Sequence, residues 1–205
     1  MIAYPMFYPL VALKYEINGS LVGLVLCTPA LTSLIMIPII NRYVLSIGIE
    51  RTIFFAGLML GFAFITSGLA VLANKDSVFL GISFASSFLV GLSTACNIVG
   101  EQGLLLRYSL KSEREKNLGM FRAALGIGGL MAPLVSASMS AWGGFMAAFI
   151  FIGIGYLLIC PFIYKKLYSA REEFMKAKRD AEMEEEHLNL LLNEDGIINQ
   201  TLEDK

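Results

Sequence analysis

Pro38-Ile-Ile-Asn41-Arg42-Tyr-Val-Leu-Ser-Ile-Gly48-Ile-Glu50-Arg51 is a short charged island, with Arg42, Glu50 and Arg51 set between two long apolar runs. The runs, Ser20 to Ile40 before it and Thr52 to Ala73 after it, carry no formal charge. Each is about 20 residues, roughly 30 Å as a helix, which is the thickness of a bilayer's hydrocarbon core. The island therefore reads as a tight turn between two membrane spans, and the rest of the chain is organised around that reading.

Composition agrees. Of 205 residues, 56% are hydrophobic and 16% charged, with a mean hydropathy of +0.67, whereas a soluble domain carries about a quarter charged residues. The net charge of −1 hides an uneven distribution: residues 1–164 hold nine Lys/Arg and six Asp/Glu, residues 165–205 seven and eleven. A basic body carries an acidic tail, and no basic face interleaved with aromatics points to nucleic acid. Cys27, Cys96 and Cys160 lie in apolar runs without metal spacing and read as reduced, buried small hydrophobes. No Ser/His/Asp set, carboxylate pair, phosphate loop or metal cluster stands out, so no catalytic residue, metal or cofactor is assigned and an enzyme is not expected.

Taken in order, Met1 to Leu13 is apolar but only about 20 Å long as a helix, too short to span. It reads as the end of a first span whose beginning precedes Met1, or else as a short re-entrant segment. Asn18-Gly-Ser20 has the form of a glycosylation sequon close to the membrane. Further spans are expected over about 20–40, 52–73, 78–101, 117–140 and 145–164, with turns at 74–77 and 141–144 and a polar connection over 102–116. With alternating sides, fourteen of the sixteen Lys/Arg fall on the side of the 41–51 turn, leaving Lys14 and Lys75 opposite. The positive-inside rule then places the charged loops and the C-terminal tail in the cytoplasm.

Small residues recur at every fourth position in two spans: Ser83, Ser87, Gly91 and Ala95, then Ala124, Gly128, Ala132, Ser136 and Ser140. Such stripes lie on one helix face and let a second helix approach closely. The span over 52–73 carries Gly57 and Gly61. From residue 165 the chain is highly charged, with Glu172 and Lys176 at favourable helical spacing. A solvated helix ending near Gly196 and a disordered end are expected. His187, the only histidine, reads as a surface residue, and the following leucines form either a helix face or an acidic dileucine sorting pattern.

These features resemble the N-terminal half of a major facilitator superfamily transporter over about residues 2–164. Asn41-Arg42, Gly48 and Arg51 stand at the superfamily's motif between the second and third helices, with extra residues between and Ile37 at its leading glycine. The asparagine-arginine pair and Phe54-Phe55-Ala56-Gly57 look like the vesicular amine transporters, and the spacing is most similar to their polyamine branch. Glu113-Arg114-Glu-Lys116-Asn-Leu-Gly119 is similar to the motif that leads into helix five, and Gly128, Ala132, Pro133 and Ser136 stand at that helix's glycine-rich motif. Where many members have an arginine in helix four, this chain has Ser87, which puts proton coupling in question.

The resemblance implies an all-α integral membrane protein: a six-helix N-terminal bundle with a truncated first helix over 1–164, then a charged cytoplasmic helix and tail over 165–205. It implies alternating-access transport of a small organic solute, with a cationic amine as the narrower reading and a vesicular or vacuolar membrane as the setting. Its partners are the lipid bilayer, the solute, and a missing C-terminal six-helix half or a second copy. The rival is a membrane subunit or scaffold that keeps the fold without transporting. Arg42 and Arg51 either latch the two halves or fix topology, and Pro133 either seams the rocking halves or only kinks its helix. Glu101 and Arg122, ionisable groups near the membrane, are expected to pair, with Glu101 structural or a proton or cation site. Ser87, Thr94, Asn97 and Gln102 line a polar path or bond helix to helix.

Overall fold

The computed structural model describes residues 9, 12, 17–108 and 114–203, with side chains to residue 183 apart from those of residues 45, 178, 181 and 182. Among the described residues the chain is helical, in α1 (Gly19–Ile47), α2 (Ile49–Ala70), α3 (Asp76–Tyr108) and α4 (Arg114–Glu203). All four are long and apolar enough to cross a bilayer. The chain divides into two compact units, Met1–Lys165 and Lys166–Lys205.

Four helices are described where six spans, one of them partial, were expected. Part of the difference is Gly144, whose left-handed φ of 74° breaks α4 internally, so that its apolar length is two helical segments joined at a kink. Trp142 beside it is 96% exposed, a placement suited to an aromatic at the membrane–water boundary. The expected partial span over residues 1–13 lies largely outside the described residues, as do Lys14 and the connection over 109–113, including Glu113.

The turns are shorter than the bilayer-length windows suggested. α1 continues through Asn41 and Arg42 to Ile47, and α2 begins at Ile49, so the turn is Gly48 alone. Its φ of 96° and ψ of 136° suit a residue without a Cβ. Asn18 caps α1, its Oδ1 accepting from the Ser20 N–H at 3.1 Å. α3 opens on Asp76, a charge of the favourable sign for a helix start. At the far end the helix does not stop near Gly196 but runs to Glu203. One glycine costs a helix only about 1 kcal/mol, too little to end it alone.

Packing centres on α3, which lies against both α1 and α2, while α1 and α2 touch little. Val25, Leu60, Ala63, Phe64, Phe79, Val90 and Phe149 belong to the main buried cluster, and Val44, Ile49 and Val99 form a second beside the Gly48 turn. The outer surface is apolar, with Leu34, Leu130 and Phe162 at 70% exposure or more. In water that surface would drive aggregation; in a bilayer it meets acyl chains.

Candidate functional site

The helices meet where side chains are smallest. Ser83, Ser87, Gly91 and Ala95 of α3 are all buried. A Cβ at Gly91 would lie 2.6 Å from the Pro29 carbonyl oxygen and 2.9 Å from its Cα, so α1 and α3 cross with backbone nearly touching. Pro29 itself leaves a backbone carbonyl of α1 without its helical N–H donor. On the other side of α3, the Ser93 hydroxyl donates to the Ala56 carbonyl oxygen of α2 at 2.7 Å, fully buried. Thr28, Thr66 and Ser138 instead donate within their own helices, to the Leu24, Phe62 and Leu134 carbonyls four residues back. The Ser93 bond, by contrast, joins two helices.

α2 uses its other face against the 145–164 segment. Gly61 and Gly153 oppose each other: a Cβ on either would fall within 3.0 Å of the other's carbonyl oxygen. Gly57 is closed off by the Cys160 sulfur, and Phe64 stacks on Phe149 and Tyr156 at ring-centre distances of 6.1 and 5.9 Å. A cavity of about 380 Å³ remains between these helices and α3, lined by Ile53, Asn97, Tyr156 and Cys160 among others. Its wall is apolar, with the Asn97 amide, the Tyr156 hydroxyl and the Cys160 thiol as its polar groups.

At the Gly48 turn the charges separate. Asn41, Arg42 and Arg51 are exposed, whereas Glu50 is 4% exposed. Its Oε1 accepts a hydrogen bond from the Tyr108 hydroxyl at 2.6 Å, tying the start of α2 to the end of α3. Glu50 also sits in the first turn of α2, where the helix dipole favours an anion. Sequence reading singled out the exposed basic residues and passed over Glu50 and Tyr108. The usable signal was an acid two residues after a turn glycine, in the first turn of the next helix.

The other expected positions fall as follows. Ser87 is fully buried, Thr94 and Asn97 are partly buried, and Gln102 is exposed. Glu101 is partly buried and Arg122 exposed, and no ion pair joins them among the described residues. Gly128 is exposed with nothing within 4 Å of an added Cβ, Ala132 and Pro133 are half-buried, and Ser136 is buried. Much of the second small-residue stripe is thus uncovered, unlike the stripe on α3.

Apolar helices packed through small residues, with charge kept at their ends, define a polytopic α-helical membrane protein. A family model described as Major Facilitator Superfamily matches residues 1–197, and the chain belongs to that superfamily of membrane transporters. No curated protein and no solved structure matches it significantly.

Proposed function

We propose that the chain is the N-terminal six-helix half of a secondary transporter that moves a small organic solute by alternating access. The observation that carries this, beside the family, is the contrast between two small-residue stripes. The one on α3 is buried, with Gly91 closed against α1, while Ala124 and Gly128 of α4 are exposed and nothing lies near a Cβ added at Gly128. In lipid, small residues on a helix face favour close approach by another helix. A second six-helix bundle, or a second copy, supplies that helix, and the site for solute forms between the halves near the bilayer midplane. Arg42 and Arg51, exposed beside the Gly48 turn, latch the halves in one state of the cycle.

A cationic amine is the narrower reading, resting on the likeness of Asn41-Arg42 and Phe54–Gly57 to vesicular amine transporters. Glu101 lies nine residues beyond the centre of the 33-residue α3, roughly 14 Å along it. That position suits a cation near the membrane boundary more than one at the midplane. The test is gradient-driven uptake into proteoliposomes holding the chain together with a second bundle. Uptake of an organic amine above protein-free liposomes supports the reading. Uptake of anionic or neutral solutes alone removes the amine assignment, and no flux of any solute removes transport.

A further inference from the structure

We propose that one face of α4 in the second unit, formed by Tyr168, Arg171, Met175, Lys176 and Arg179, binds the headgroups of anionic phospholipids. With Glu172 these residues line a single shallow groove of about 420 Å³. Their spacing, at three, four, seven, eight and eleven residues from Tyr168, places them on one side of a helix. Three cations stand there against one carboxylate. Tyr168 and Met175 are 45% and 40% exposed between them, and the Arg179 Nε–H donates to the Met175 carbonyl at 3.3 Å, folding that side chain along the same face. Amphipathic side chains alternating with basic ones are the pattern of a helix that rests at a lipid–water boundary, with cations at the phosphates.

Charge along the helix supports lipid as the occupant. Residues 165–179 hold six Lys/Arg and two Glu, and residues 180–195 hold seven Asp/Glu and no Lys or Arg. A face that only needs water has no reason to segregate its signs so sharply. The basic stretch follows directly on the last apolar run in sequence, which tethers it beside a bilayer, and a cluster of this kind next to a span is attracted to anionic lipid. The acidic stretch is repelled by the same surface, so adhesion is confined to the first part of the helix.

The experiment uses the full chain in nanodiscs of phosphatidylcholine alone or with about 30% phosphatidylserine, and reads the cleavage rate at Glu172 and Glu173 by a glutamyl protease. Cleavage is expected to be about fivefold slower with phosphatidylserine, and about 0.5 M salt should remove the difference. The combined variant Arg171→Gln, Lys176→Gln, Arg179→Gln should be cut at the same rate in both discs. Equal rates for the unaltered chain overturn the proposal, as does phosphatidylserine-dependent protection that survives in the variant. Protection already present in neutral discs and lost on Glu184→Gln, Glu185→Gln, Glu186→Gln assigns the face to the chain's own acidic stretch and also overturns it.

Discussion

Glu50 shows how much a single position can carry in this protein. It is a carboxylate at the membrane boundary, yet it is buried and receives the Tyr108 hydroxyl. Hydrogen bonds to charged groups contribute more than neutral ones, so Tyr108→Phe should lower stability by about 1–2 kcal/mol. Thermal unfolding in detergent measures it, and an unchanged midpoint would show that the bond contributes nothing. The adjacent Gly48 is constrained by its backbone, not its contacts: φ is 96° and the nearest atom to an added Cβ is 3.6 Å away. Gly48→Ala should therefore cost about 1–3 kcal/mol through strain alone. Gly91 is the opposite case, with ordinary helical geometry and no room. Gly91→Ala should push α1 from α3 and destabilise by about 1–3 kcal/mol, while Gly126→Ala, with nothing near it, should be neutral or slightly stabilising. Equal effects of those two substitutions would contradict the packing described.

Among the helices, the apolar windows located the spans but not their ends. Asn41 and Arg42 continue α1 because polar residues past the hydrocarbon edge are solvated without leaving the helix, so the count of uncharged residues understates helix length. Trp142-Gly143-Gly144 was legible as a break because glycine pairs tolerate the left-handed backbone found at Gly144. The stripe at Ser83, Ser87, Gly91 and Ala95 was legible as a packing face, but its neighbour was not, since Pro29 is 62 residues away in sequence. The bond between Glu50 and Tyr108 was illegible for the same reason: local pattern can mark an acid at a helix start but not its donor 58 residues away. Ser93 joins α3 to α2 across a buried distance of 2.7 Å. Hydrogen bonds between membrane helices are worth about 0.6–1.7 kcal/mol. Ser93→Ala should lose that amount in an unfolding titration, whereas Thr28→Ala, whose hydroxyl donates within its own helix to the Leu24 carbonyl, should lose less.

For the molecule as a whole, the superfamily was legible in Asn41-Arg42, Gly48 and Arg51, and in Gly128 through Ser136, because those motifs are short and local. The solute was not, because on the proposed reading its site lies between two bundles, and one bundle shows only part of such a site. Gly128→Leu separates folding from function: with open space around Gly128, the bundle should keep its unfolding midpoint while uptake falls more than about tenfold through a blocked helix approach. Loss of both together would mean that this face is internal to the bundle.

Threading of the helices through lipid with alternating ends underlies every role proposed for this protein. Its most direct measurement is thiol accessibility from each side of sealed vesicles, using single cysteines in a chain whose Cys27, Cys96 and Cys160 are replaced. Ser46→Cys and Lys116→Cys should react with an impermeant reagent from one side, and Lys75→Cys and Trp142→Cys only from the other. Reaction of all four from a single side would contradict it.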